Sequence, residues 1–281
     1  MTKSIFNILL VSISLLVGCS TSQNEEKNQN SNDISSDESP KEMLREAYQL
    51  FKEGKDSQSI AMANRVLEIG RATNNDTLVG RALTSLCRNS QRTLDTNRLA
   101  ELSKELSALA ASSGNKKWLM YRAHQNAEMW RLVGNMYRAE RFYNESMKIS
   151  YETGAMGMYT IDHFNKSFVS IAKGDLDTAR ALIKKYNALR QDADPDSEDA
   201  YGLIALAYLL EQEKNYRGAH EVATVTRRLF KEQNLFPEPP DEKPLIQVET
   251  KVAEELDQAT RSEISEKSES LSVSDLLKKY L

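Results

Sequence analysis

The chain has 281 residues, with 37 Lys and Arg against 41 Asp and Glu. Its formal net charge of −4 is far from the basic balance of a nucleic-acid-binding protein. Two cysteines and three histidines occur, and His124, His163 and His220 have no paired metal-ligand spacing. No Walker loop, dinucleotide-binding glycine fingerprint or GxSxG elbow is found. We therefore expect no catalytic residues, no metal, no cofactor and no nucleic-acid partner.

The N-terminus begins with one lysine and an apolar stretch over residues 5–17. This stretch is too short to span a bilayer as a helix and is typical of a secretory signal. Leu16, Gly18 and Cys19 resemble the lipobox of bacterial lipoproteins. The resemblance implies cleavage of residues 1–18 and lipidation of Cys19; an ordinary signal peptide with a chance cysteine is the alternative.

Ser20, rather than Asp, follows the cysteine. By the same resemblance, this implies release to the outer membrane, so we expect a protein on its periplasmic face that contacts the membrane through lipid only. Residues 19–40 are rich in Ser, Asn, Gln, Asp and Glu, which predicts a disordered tether with a reach of roughly 25 Å. Once Cys19 carries lipid, Cys87 has no disulfide partner, and we interpret it as a buried structural thiol rather than a catalytic one.

Turn-forming residues recur every twenty positions after the tether. Gly, Asn and Asp tolerate the left-handed backbone that follows a helix end, so this spacing predicts about ten helices of similar length. A forty-residue period of paired helices indicates a solenoid, since one hairpin cannot bury its apolar face alone. The two series are Gly54, Leu94, Gly134, Gly174 and Lys214, and Asn74, Gly114, Gly154, Asp194 and Asn234.

Small residues mark equivalent positions of the five units. Seven residues before each first-series turn stand Ala47, Cys87, Ala127, Ser167 and Ala207, and five after it stand Ser59, Leu99, Ala139, Ala179 and Ala219. Small residue, turn, and Ala five past the turn resemble the tetratricopeptide repeat over residues 41–235, with a period longer than the usual thirty-four. We expect an all-α solenoid of about five antiparallel helix hairpins, a tetratricopeptide-like superhelix, with a C-terminal capping helix.

The resemblance implies that the first helix of each hairpin lines a concave face. Its register gives these candidate partner-binding residues: Tyr48, Arg81, Arg88, Arg92, Tyr121, His124, Glu128, Arg131, Phe164, Phe168, Tyr201 and Tyr208. A basic end followed by an aromatic end could clamp an acidic, aromatic-containing peptide. The alternatives are a solvated basic face for the arginines, and hairpin core for Phe164, Phe168 and Tyr208.

Residues 236–281 follow the repeats. Prolines in 236–240 predict an extended connector, and an apolar stripe from Leu245 to Ala259 predicts a helix that caps the last hairpin. We expect 262–272 to be loose and acidic, and 274–281 to fray or to form a short amphipathic helix that docks on a partner or on the groove. Such an acidic tail could also fold back on the arginines.

Together these features predict an envelope adaptor or scaffold that docks proteins or peptide segments. The alternative is a solenoid receptor that senses a ligand or peptide and relays an envelope signal.

Overall fold

The computed structural model describes residues 39–194, 199–235 and 237–281, and all regular secondary structure in these ranges is helical. The signal segment, Cys19 and the tether lie outside the described residues. The helices are α1 (Pro40–Lys52), α2 (Asp56–Ala72), α3 (Asp76–Arg92), α4 (Thr96–Ser113), α5 (Lys116–Leu132), α6 (Met136–Glu152), α7 (Met156–Ala172), α8 (Leu176–Ala193), α9 (Ala200–Gln212), α10 (Tyr216–Glu232), α11 (Pro239–Glu255), α12 (Gln258–Ser268) and α13 (Val273–Tyr280). The predicted all-α fold is confirmed.

The turns between helices follow the predicted spacing. Nine of the ten residues in the two series have φ between 49° and 82°, including the non-glycine residues Leu94 and Lys214. In most of these turns the next residue is Asn or Asp, whose side chain accepts a backbone N–H of the following helix, as Asn75 does from Thr77 and Leu78. A left-handed residue plus an N-cap therefore reverses the chain in very few residues.

Asp194 is the exception, because its backbone is extended at φ −151°. After eight of the left-handed positions the next helix begins two residues later, whereas α9 begins only at Ala200 and α11 begins at Pro239, five residues after the left-handed Asn234.

The small positions are where consecutive helices meet. All ten residues are fully buried, with 0 % of their surface exposed. In the first hairpin the Ser59 hydroxyl donates to the Ala47 carbonyl at 2.8 Å, and Asn89 of α3 donates to Ser59 at 3.1 Å. Nine of the ten residues are small, which lets the helix backbones approach closely, while Leu99 shows that the second position admits a larger side chain in the second hairpin.

The apolar core is divided along the stack. One cluster of buried side chains runs from α1 to the start of α5, and a second runs from α7 to α13. Between them lies a small cluster of Ala127, Ala139, Tyr143 and Val169. Polar contacts are therefore more prominent in the third and fourth hairpins than at the two ends.

The C-terminal region is more ordered than the sequence indicated. Helix α11 begins at Pro239, not beyond Pro244, because proline is well tolerated in the first turn, where its missing N–H would have no helical partner. Leu245, Val248 and Val252 are buried on α9 and α10, so α11 does cap the last hairpin. The predicted stripe is shorter than expected, since α11 ends at Glu255.

Two further helices replace the expected loose tail. Helix α12 covers most of residues 262–272 and packs on α10 through Ile264. Helix α13 starts with a capping box at Ser272, buries Leu276 and is tied to α10 by Lys279, which donates to Glu221 at 2.7 Å. These contacts give the tail a packing surface that composition alone did not reveal. Within the described ranges, no helix combines the length and apolarity needed to cross a bilayer.

Candidate functional site

The first helices of the hairpins line a common cavity of about 490 Å³. Its walls come from α1, α3, α5, α7, α8, the start of α9 and the start of α11. The lining residues are Tyr48, Phe51, Thr84, Arg88, Gln91, Tyr121, His124, Gln125, Glu128, Arg131, Met158, Ile161, Phe164, Asn165, Tyr186, Arg190, Asp199, Tyr201, Glu238, Pro240 and Asp241.

Eight of the twelve residues predicted from the repeat register lie on this cavity. They are Tyr48, Arg88, Tyr121, His124, Glu128, Arg131, Phe164 and Tyr201. The other four lie elsewhere. Arg81 borders a second depression of about 320 Å³ with Lys41 and Arg45, and Arg92 lies beside the cavity in contact with Phe51.

Phe168 and Tyr208 do not line the cavity. Phe168 belongs to the C-terminal apolar cluster, and the Tyr208 ring packs against that cluster at 6.4 Å from the Phe168 ring. Helix α11 runs against α9, and Tyr208 shares a hydrogen bond with Gln247 of α11. The fifth hairpin therefore presents its inner face to α11 rather than to solvent.

Glu128 is the centre of a buried polar network in α5, α6 and α7. Its carboxylate accepts from Arg131 Nη2 at 2.8 Å, from Asn165 Nδ2 at 2.7 Å and from the Tyr143 hydroxyl. Burial alone would raise the pKa of Glu128, but Arg131 and the donated hydrogen bonds outweigh it and hold that pKa below its usual value. Glu128 is therefore a fixed negative charge that orients Arg131 toward the cavity.

His124 makes a second buried pair, with its Nδ1 at 2.7 Å from Asp162 Oδ1. Burial opposes a charge on the imidazole, yet the Asp162 carboxylate prevails and the pKa of His124 is raised. The other oxygen of Asp162 is buried and has no hydrogen-bond partner among the described residues. Asp162 was not predicted, because its neighbour is thirty-eight residues away in the sequence.

Arginines at the α3 side of the cavity are held by aromatic rings. The Arg88 guanidinium lies 5.1 Å from the Tyr48 ring and 5.7 Å from the Phe51 ring, and within the described residues it makes no ion pair. Arg92 lies 3.8 Å over the Phe51 ring and donates to the Phe51 carbonyl at 2.6 Å. Stacking orients both guanidinium groups at little entropic cost on binding.

The contribution of α8 and the α9 N-cap to the cavity was not predicted from the sequence. Tyr186 of α8 donates to Asp199, the N-cap of α9, and Arg190 Nε lies 3.1 Å from the same carboxylate. Met158 and Ile161 of α7 add an apolar wall beside Phe164. The cavity thus combines oriented charges of both signs with aliphatic and aromatic surface.

Residues 237–241, which we call the inserted segment, complete the cavity. Glu238 Oε1 is 3.9 Å from Arg92 Nη2, and Pro240 and Asp241 also line the cavity. Burial raises the pKa of Asp241 to about 7, and the nearby Arg131 only partly offsets this. The prolines in this region predicted an extended connector, and no sequence pattern indicated that the segment would reach α3.

The described residues provide neither a metal-binding cluster nor a reactive thiol. No group of three His, Cys, Asp or Glu side chains among them could hold a metal ion. Cys87 is fully buried, and burial raises the pKa of its thiol to about 12. A thiol held neutral in this way is a poor nucleophile.

Comparison with known proteins supports the fold. No protein-family model matches the chain, and no curated protein matches it in sequence. The crystal structure of the apo form of RapI is similar, with a TM-score of 0.53 and 15 % identity over 79 % of this chain and 87 % of that one. A crystal structure of a putative kinesin light chain from Podosopora anserina with nearly identical TPR-like repeats has a TM-score of 0.48 and 16 % identity over 70 % of this chain and 99 % of that one. The likeness to the RapI structure, together with the consecutive helix hairpins, shows a TPR-like helical-repeat fold.

Proposed function

We propose that this protein is an interaction module that binds a short segment of a partner polypeptide in the concave cavity. The observation that carries the proposal is that eight residues chosen by repeat register line one cavity of about 490 Å³. A TPR-like solenoid is suited to this role, because its repeated helices build an extended surface from equivalent positions.

The cavity chemistry supports a peptide with both apolar and charged groups. Arg88 is oriented by stacking and is free to pair with a carboxylate. Phe164 and Tyr121 supply aromatic surface on neighbouring helices, and Ile161 adds aliphatic surface. An apolar side chain seated there would leave an adjacent acidic group within reach of the arginines.

The second part of the proposal is that lipid on Cys19 holds the module in the cell envelope, on the periplasmic face of the outer membrane. It is supported by Leu16, Gly18 and Cys19 in the sequence and by Ser20 after them. The protein would then work as an envelope adaptor or scaffold.

A sensor of a small ligand or signalling peptide is the second candidate, and one observation favours it. The inserted segment closes the groove at the start of α11, and the resulting volume lies in the range of about 300–1,000 Å³ typical of small-ligand pockets. A sensor would show a shift in melting temperature with a metabolite, whereas an adaptor would co-purify with envelope proteins.

Crosslinking in intact cells followed by affinity capture tests the binding proposal. We expect Arg88→Glu and Tyr121→Ala to lose partners that wild type captures. Arg65→Glu on α2 and Tyr151→Ala on α6 are matched controls, because neither residue lines the cavity. If both cavity variants keep every partner, binding occurs elsewhere on the protein.

The anchor is tested separately by fractionation. We expect wild type in the membrane fraction and Cys19→Ser in the soluble fraction. Equal partition of the two proteins would contradict lipidation of Cys19.

A further inference from the structure

We propose that the arginine end of the cavity, formed by Arg88, Arg92 and Arg131, recognises an acidic segment of the partner, and that the inserted segment occupies this place until the partner displaces it. This inference rests on the proposed function, because it concerns the same cavity. It adds the chemistry of the partner and a competition within the chain.

The inserted segment carries two carboxylates to the arginine end. Glu238 lies 3.9 Å from Arg92, and its charge is felt by Arg88 and Arg131 as well. Asp241 lies on the cavity wall and faces Arg131, Glu238 and Glu128. The chain thus places an acid, two prolines and a second acid against three arginines.

The inserted segment is held differently from the rest of α11. Leu245, Val248 and Val252 are almost completely buried and fix the helix on the last hairpin. The residues before them contribute charged and proline side chains that are only partly buried. Since the cap has its own apolar anchor, the first turn of α11 can leave the arginine end without loss of the cap.

The electrostatic contacts of the inserted segment are incomplete. Asp241 Oδ1 is buried and has no hydrogen-bond partner within the described residues, and neither does Arg92 Nε. The contact of Glu238 with Arg92 is long for an ion pair. A covered carboxylate oxygen without a hydrogen bond is costly even in a partly buried side chain, so the seated state is poorly stabilised and can be displaced.

The arginines, in contrast, are held independently of the inserted segment. Phe51 fixes Arg92 by stacking and through its carbonyl, and Glu128 fixes Arg131. Their positions therefore persist when the segment leaves. A partner with two acids at similar spacing and better hydrogen bonding would replace it.

A peptide of this chain's own residues 237–244 serves as the probe, acetylated and amidated at its ends. Its binding to the full mature protein is measured by isothermal titration. The double variant Glu238→Lys, Asp241→Lys places two cations beside the arginines and so weakens the seated segment, and we expect it to bind the probe roughly tenfold more tightly than wild type does. Glu254→Lys is the matched control, because Glu254 lies near the other end of α11 with 60 % of its side chain exposed, outside the cavity lining.

The proposal requires that the gain in affinity depend on the acidic side chains of the probe. A probe in which Glu238 and Asp241 are replaced by their amides should bind neither protein. Equal affinity of wild type and double variant, binding of the amide-substituted probe, or no binding of the acidic probe to either protein would each overturn the proposal.

Hydrogen exchange separates this inference from the proposed function. The amides of Asp241 and Glu242, which both donate to the Glu238 carbonyl at 2.8 Å, report on the first turn of α11. We expect Arg92→Gln to speed their exchange with no partner present, and unchanged exchange would contradict the seated segment. If Arg88→Glu loses cellular partners but Arg92→Gln leaves the exchange unchanged, the proposed function stands and the seated segment is refuted.

Discussion

Replacing Glu128 with Gln tests whether the buried network supports the middle of the stack. The substitution keeps the shape of the side chain but removes the charge that Arg131, Tyr143 and Asn165 share. Both Glu128 and Arg131 have at most 10 % of their side chains exposed. The guanidinium would therefore remain buried without its partner.

The expected loss follows from this burial. Removing one member of a buried ion pair costs about 3–5 kcal/mol, because the other charge stays desolvated. Asp241 lies near Arg131 and can compensate in part, so we expect a loss of about 3 kcal/mol in the free energy of unfolding.

Urea denaturation of wild type and variant provides the measurement, and native-state hydrogen exchange in α5 and α6 localises the effect. The control is Glu140→Gln, which removes the partner of Lys173 on the neighbouring hairpin. That pair is nearer the surface, so its loss should cost less than about 1 kcal/mol. The reasoning is refuted if Glu128→Gln is no more destabilising than Glu140→Gln.

Three further perturbations test other parts of the fold, and each has an expected direction of change in stability. Gly134→Ala should destabilise the protein by about 1 kcal/mol, since φ of Gly134 is 82° and no atom contacts the added methyl. Gly157→Ala in α7 should stabilise it slightly. The urea midpoints of the two variants test whether Gly134 has a left-handed backbone. Ala207→Leu should cost about 1–3 kcal/mol by overpacking a residue with 0 % exposure, and a wild-type midpoint would contradict close packing there. The folded pKa of Asp241, about 7, lies above its usual value of 3.8, so the stability of the seated segment should fall as pH rises between these values. Hydrogen exchange in the first turn of α11, corrected for intrinsic rates, should therefore be slower at about pH 5 than at about pH 8. Asp241→Asn should abolish this difference.

The repeat architecture could be predicted because local chemistry determines it. A left-handed position after each helix admits few residue types, and Asn or Asp next to it caps the following helix. Even Leu94 and Lys214, which have no such preference, were found by spacing alone. The prediction of a left-handed residue was wrong at Asp194, because the spacing of the series includes this position but the connection to α9 does not follow the usual turn.

The far side of the cavity could not be predicted in the same way. Asp199 and Glu238 lie outside the repeat register, and the latter meets Arg92 across almost one hundred and fifty residues of chain. Prolines that favour an extended chain are equally compatible with a helix start, so residue type did not distinguish the two. Which inner surface α11 would cover depended on tertiary packing.

The division of the apolar core has a consequence for how the molecule unfolds. Nearest-neighbour interfaces determine cooperativity in a stack of repeats. Where Glu128, Tyr143 and Asn165 join the third and fourth hairpins, hydrogen bonds and ion pairs replace much of the apolar contact found on either side. The N-terminal and C-terminal clusters can therefore unfold as separate cooperative units. The strength of the polar contacts between them determines whether they unfold together.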